Sequence, residues 1–545
     1  MALRFSLGNV AAAAAPASIE VDGRGVAAHV IRAQLRFPAQ PGPFSLVYPE
    51  WLPGQHAPTG RIQDLVDIAF RVGGRSIAWQ RDDENMYELR CVLPAGTTRL
   101  DVDVAFVAGT GGRRDNLPAV ASQRLWILEW NNVILYPKGA DPKTYGFAAS
   151  VRLPEGWNFA CALPIAERRG DGARFSAVPL ETLIDSPLAA GVHARTVDLT
   201  PAGGPPHELC LFGDSAEALA IKDAAIAGYR KLVTEARALF GGWPYRRYKF
   251  LLSLSEHVPH GGLEHHESSD NRVGERTLLD DNLWAVRAGL LPHELVHAWN
   301  GKLRRPAGLV VKDYQTPVKT DLLWVYEGLT SYLGETLTVR AGLRSMEESR
   351  DSLAHTAALL DARGGRRWRS LGDTATAAPM LSGASRAWRG WRRGLDYYPE
   401  SQLVWLEADV IIRQRSNGAR TLDEVCQRFF GAHARGAPAV VAYELPELLA
   451  ALNAACPLDW AAFFRARIDA VLPRAPVGGI VESGWKLVYR EAPSAFQKKL
   501  EQAGKEIDHS FSLGLVLHES GSITDVLPGG VAEKAGVAPL GTVIA

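Results

Sequence analysis

The residues best placed to do chemistry lie in one short run, Leu291-Pro292-His293-Glu294-Leu295-Val296-His297-Ala298-Trp299-Asn300. It carries an H-E-x-x-H spacing. On a helix, His293 and His297 stand one turn apart on the same face. Two neutral imidazoles so placed can share one tetrahedral zinc ion at about 2.0–2.1 Å. Glu294, between them, can face the open coordination position and act as general base on a water there. The competing reading is an amphipathic helix with two buried histidines. Pro292 is comfortable in a first turn but kinks a helix interior, so the helix either starts there or bends just before its first ligand.

A catalytic zinc site needs a third protein ligand, and the downstream acids are Asp313, Asp321, Glu327 and Glu335. Glu327 stands alone in the apolar run Leu323-Trp324-Val325-Tyr326-Glu327-Gly328-Leu329. A lone carboxylate there is costly unless it binds a metal or pairs with a cation such as Arg340. Upstream, a strand over 249–255 leads into Gly261-Gly262-Leu263-Glu264-His265-His266-Glu267. Two glycines let a ligand approach the backbone, and an exposed sheet edge there can pair with an extended peptide. A polar turn is the bland alternative. A second metal on His265, His266 and Glu267 lacks any further ligand spacing.

H-E-x-x-H followed by W-x-x-E-G-x-x-x-Y resembles the gluzincin metallopeptidases. The gap of 29 residues from Ala298 to Tyr326 is longer than in the best-known gluzincins. With H-E-x-x-H-A-W-N, an N-terminal Trp51-Leu52-Pro53-Gly54 and a PDZ-like tail, the chain is similar, over nearly its whole length, to the glycyl aminopeptidase family. The resemblance implies Glu327 as third ligand to one zinc ion. It implies an N-terminal antiparallel β domain, a thermolysin-like, mostly helical catalytic domain and a preference for N-terminal Gly or Ala. Glu264 matches the Glu of a G-x-x-E-N loop that grips the free α-ammonium in related aminopeptidases, with His265 where the Asn would be. Tyr398, at the start of a helix, matches the tyrosine that donates to the oxyanion. Glu400-Ser401 replaces the expected Lys-Gly there, so Tyr397 stays in play, and both rings can simply be core.

The rest of the chain must position these groups. Its 545 residues suggest three to four domains at about 100–200 residues each. Hydrophobic and charged contents of 47% and 22% are those of soluble globular domains, and the change from period-2 to helical patterning along the chain points to a multidomain α+β fold. Lys+Arg and Asp+Glu both number 60, which argues against nucleic-acid binding by bulk charge. Five scattered cysteines form no C-x-x-C pair and read as buried small hydrophobes. No apolar run reaches the roughly 18 residues of a membrane span. Residues 1–17 make a poor secretory leader, and the compartment stays open between cytoplasm and periplasm.

Residues 1–213 alternate with period 2, broken by Gly and Pro, and read as antiparallel sheet. The turn at 48–54 is expected to shape that domain's edge. A helix is expected over 214–240, opened by an Asp214/Glu217 capping box and closed by Gly241-Gly242. Further helices are expected over 351–363, 402–415 and 447–455, with Thr421 and Glu424 as another capping box. Between them, 364–394 is irregular and rich in Arg and Trp; it is expected to line or cover the cleft, and one of its arginines to receive a peptide carboxylate. Residues 214–475 form the catalytic domain in this reading. Residues 476–545 are a linker and an incomplete PDZ-like unit with strands at 515–518 and 523–526, where peptide capture is doubtful. The function expected is a zinc aminopeptidase hydrolysing the first peptide bond. The alternatives are a zinc endopeptidase with the same site, or a non-catalytic peptide-binding scaffold. Oligomeric state is not legible.

Overall fold

In the computed structural model, residues 15–109, 119–385 and 387–544 are described; the leader reading falls almost wholly outside them. Where the sequence alternates, strands form. Val30–Pro38 and Arg99–Val107 pair antiparallel from Val30↔Val107 to Pro38↔Arg99. They sit at the centre of a nine-stranded sheet, in which Ala17–Asp22 also runs parallel to Gly146–Arg152. Two four-stranded sheets complete the N-terminal part. Its core holds Ile19, Leu35, Phe37, Leu100, Trp126 and Trp130, and also Tyr314 from far downstream.

A five-stranded sheet follows, ordered His193–Asp198, His207–Gly213, Tyr248–Leu254, Ser268–Val273, Gly261–Glu264. The first two strands precede position 214, yet His207–Gly213 pairs with Tyr248–Leu254. Val197, Leu209 and Leu211 pack in the core under the helices, while Cys210 and Phe212 pack on Leu125, Ile127 and Ala189 of the N-terminal sheets. Gly261–Glu264 is an edge strand, antiparallel to Ser268–Val273.

The helical part packs on this sheet. The helix expected from 214 runs only over Asp223–Phe240, behind a 3-10 turn at Glu217–Leu219. No capping box forms. The Ser215 hydroxyl accepts from Ala218 N instead, and Ala220 is extended, so the chain turns once before the helix begins. Gly241 closes that helix in the left-handed conformation, at φ 81°. Met346–Ala362 starts earlier than expected because Ser345 and Glu348 form a capping box. Thr421 caps Leu422–Phe429 through Asp423 N alone, without Glu424. Pro399–Arg415 and Leu445–Ala455 each begin with a proline in the first turn. All five cysteines are buried and none forms a disulfide. Among the described residues no helix is long and apolar enough to cross a membrane.

At the C-terminal end, Glu506–His509, Leu515–His518 and Ile523–Val526 make a three-stranded sheet, followed by the helix Val531–Lys534. Its small core of Ile523, Val526 and Ala532 packs on Trp388.

Candidate metal centre

The helix Leu290–His297 carries the H-E-x-x-H residues. Pro292 is its third residue, where its missing N–H is one that a helix start leaves unpaired anyway. The helix therefore starts before the proline and is not broken by it. Leu291 and Leu295 anchor one face in the core. The opposite face presents both imidazoles, with His293 Nε2 and His297 Nε2 3.1 Å apart.

Glu327 joins them. Its Oε2 lies 3.4 Å from His293 Nε2 and 3.2 Å from His297 Nε2. It sits at the junction between the short helix Leu323–Tyr326 and the helix Gly328–Arg340. Asn300 holds that junction: its amide donates to the carbonyls of Val325 at 2.9 Å and Tyr326 at 3.2 Å. The Asn300 carbonyl also lies 2.9 Å from His297 Nδ1, which puts the proton on Nδ1 and leaves Nε2 free toward Glu327. Arg340 is bound bidentately to Asp423, so it does not neutralise Glu327. Asp313 bonds Gln315 and Thr316, and Glu335 bonds Arg344 and Ser349, which leaves neither for the histidines.

Ligands about 2.0–2.1 Å from a tetrahedral ion lie about 3.3–3.4 Å from one another. The donor separations here are 3.1, 3.2 and 3.4 Å. Glu327 Oε2 is buried with no hydrogen-bond donor of its own. Two imidazoles and a carboxylate at that spacing fit a cation of the zinc type.

The electrostatics agree with a cation site. Burial opposes charge on His297, but the carboxylates of Glu327, Glu264 and Glu294 outweigh it and raise its pKa to about 10. Burial likewise opposes charge on Glu327, yet His297, His293 and His56 hold its carboxyl well below the usual range. His293 is lowered, chiefly by burial. Positive charge is thus favoured at this point, and the three groups have converged on it.

The other predicted residues gather nearby. Glu294 is buried, and burial pushes its carboxyl well above the ordinary range. The backbone of Gly262 passes so close that an added Cβ would lie 2.0 Å from Glu294 Oε1, and only glycine fits there. Glu264 offers an oxygen to the same small space as Glu294 and His297. Its Oε1 takes a short hydrogen bond from the Tyr326 hydroxyl. Burial would raise its carboxyl, but His297 and Lys302 outweigh this and lower it. Tyr398 lies with its ring 6.1 Å from that of His293, and burial and the Glu327 charge push its phenol well up. Tyr397 is buried beside it in the core.

His265 turns from the site toward Asp185, with Nδ1 3.4 Å from Oδ1. Glu267 is bound by Arg246, and the residues 265–267 gather no ligand set. Two arginines of the basic stretch are engaged inside the protein. Arg366 and Arg393 are buried against Glu400, and Arg393 also bonds Asp396. Those guanidiniums hold the start of the Tyr398 helix and are not open to a peptide carboxylate.

Two residues of the site were not anticipated from the sequence. His56, on the turn after Trp51-Leu52-Pro53-Gly54, makes a short hydrogen bond from Nε2 to Glu327 Oε1. That turn therefore does more than shape a domain edge. Asp185 bonds Lys302 Nζ at 2.6 Å and accepts from His266 N at 2.7 Å, tying the end of the N-terminal part to the edge strand. A His between prolines and an Asp before Ser-Pro are the only signals, and neither has a period or spacing to read.

Residues 286–404 match the M61 glycyl aminopeptidase family, and residues 18–192 match the Peptidase M61 N-terminal domain. The fold is similar to that of an aminopeptidase N family protein from Idiomarina loihiensis, at 17% identity and TM-score 0.76, covering 97% of this chain and 89% of that one. It is also similar to a mutant M1 zinc metallopeptidase from Deinococcus radiodurans bound to a Tyr-Ser-Ala substrate, at 13% identity and TM-score 0.50, covering 85% and 95%. Comparison with curated proteins finds no match.

Proposed function

The chain belongs to the M61 glycyl aminopeptidase family, and on that premise we propose that it hydrolyses the first bond of peptides with one zinc ion held by His293, His297 and Glu327. The observation that carries the reading is the convergence of three donor atoms at 3.1–3.4 Å with the His297 tautomer set by Asn300. Zinc suits two imidazoles and one carboxylate, and it is the metal named for the Deinococcus enzyme. When bound, zinc supplies a Lewis acid that makes a water nucleophilic and polarises the scissile carbonyl.

The chain's own residues do the rest. Glu294 takes the proton of the attacking water and returns it to the leaving amine. Tyr398 donates its hydroxyl proton to the oxygen that becomes negative. Gly261, Gly262 and the rest of the edge strand, with His265 just after it, bind the substrate backbone as an added strand. Glu264, beside the metal ligands, takes the α-ammonium and so places the first peptide bond over the centre. A preference for N-terminal Gly or Ala is supported by the crowding of Gly54, Leu263 and Tyr326 around Glu264.

The functional units in this reading are a β-rich part to 213, a thermolysin-like catalytic part over 214–475 and a PDZ-like segment over 476–545. The order of strands and helix after 506 supports the last. Replacing Glu294 tests the mechanism. Glu294→Ala is expected to lower turnover of Gly-p-nitroanilide by at least about 10²–10⁴-fold while metal analysis still finds one zinc per chain. Turnover at the wild-type rate refutes the general-base role.

A further inference from the structure

We infer that His56 is a positioning residue for the metal centre: it holds Glu327 in its ligand pose from the N-terminal β part. The inference rests on the zinc reading above.

Glu327 divides its two oxygens. Oε2 faces His293 and His297, while Oε1 accepts from His56 Nε2. Both side chains are buried, at 8% and 3% exposure, so water does not substitute for this bond. A carboxylate ligand free at its second oxygen can rotate about its last bond. One tied at Oε1 presents Oε2 alone, with fixed direction. Partners of this kind orient a metal's ligands and tune its affinity.

The loop that delivers His56 is itself held in place. Glu50 N and Trp51 N both donate to Tyr314 O, at 3.1 and 2.9 Å, and Gly60 N donates to Glu50 O at 3.0 Å. His56 has φ 55°, a left-handed conformation uncommon outside glycine, which persists where the surroundings impose it. The Tyr326 ring meets the imidazole edge-on at 5.3 Å. Gly54 lets the loop pass against the α-ammonium site, since a Cβ there would lie 2.7 Å from Glu264 Oε1. The loop follows the strand Gly42–Val47 of an N-terminal sheet. The third ligand of the metal centre is therefore fastened by a side chain 271 residues earlier, across the two halves of the fold.

The test is a zinc competition titration against a chromogenic chelator, on the full chain. Wild type, His56→Ala, His56→Gln, Glu327→Ala and the His56→Ala/Glu327→Ala double variant are compared. His56→Ala is expected to bind zinc about 10–100-fold more weakly. His56→Gln, whose amide N–H stands near the place of Nε2, is expected to recover most of that loss. In the Glu327→Ala background, removing His56 is expected to change nothing further, because its effect runs through that carboxylate. Should His56→Ala fail to fold when zinc-free, His56→Asn, polar but too short to reach Oε1, is expected to show the same weakening. Wild-type affinity in His56→Ala or His56→Asn overturns the inference. So does equal weakening with and without Glu327, which would make His56 merely structural. If Glu327→Ala itself binds zinc like wild type, the ligand reading fails first and this inference with it.

Discussion

His297 is oriented from both of its ring nitrogens. Its Nδ1–H is occupied by the Asn300 carbonyl, and its Nε2 looks at Glu327 and His293. Tyr398 lies partly buried with its ring 6.1 Å from that of His293, whereas Tyr397 is buried with its ring in the core. If Tyr398 supplies the oxyanion donor, Tyr398→Phe lowers kcat by about 10²–10³-fold with little change in KM. Tyr397→Phe then stays within a few-fold of wild type. Steady-state kinetics on Gly-p-nitroanilide decides, and a larger kcat loss in Tyr397→Phe reverses the assignment. At this scale the H-E-x-x-H residues were legible because helical spacing puts both imidazoles on one face. Glu327 was legible because an acid is costly in an apolar run. His56 and Asp185 were not, because each reaches its partner only through the tertiary fold, from a turn that carries no period.

Among the elements, strands and helices were legible where the apolar period was long, as over Arg99–Val107 and Asp223–Phe240. Their ends depended on caps. Ser345 with Glu348 opens a helix before its apolar stripe begins, and Ser215 supports a 3-10 turn where a longer helix was expected. The strands up to Gly213 share the period of the N-terminal sheets, but His207–Gly213 pairs with Tyr248–Leu254, because period reports the kind of element and not its neighbour.

Within that second sheet, His207 makes a testable electrostatic contribution. Its Nδ1 lies 2.7 Å from Pro205 O, to which Nδ1–H donates, and its Nε2 lies 3.0 Å from the Tyr245 hydroxyl, which can donate to it when the ring is neutral. Burial lowers its pKa to about 4. The unfolded chain takes up this proton near about 6.5. The contribution is therefore complete above that pH and is lost as pH falls toward 4, on the order of 3 kcal/mol at most. Thermal melts across this window are expected to show a shallower acid loss for His207→Gln than for wild type. Parallel curves contradict the assignment. His266, lowered to about 3 by burial, adds a similar loss that the variant retains.

For the whole molecule, the metal centre belongs to neither half of the fold alone. The helix Leu290–His297 and the Glu327 junction bring the candidate donors together, while His56 reaches Glu327 from an N-terminal turn and Asp185, at the end of the helix Leu180–Ile184, bonds Lys302. The strap that carries Trp388 and the buried Arg393 lies between the C-terminal strands and the Tyr398 helix. The most direct measurement is the zinc content of the purified full-length chain after exhaustive dialysis, for wild type and Glu327→Ala side by side. One zinc per chain in the wild type, with a clear shortfall in Glu327→Ala, is the predicted result. Equal zinc in both proteins, or none in the wild type after zinc has been offered, contradicts it.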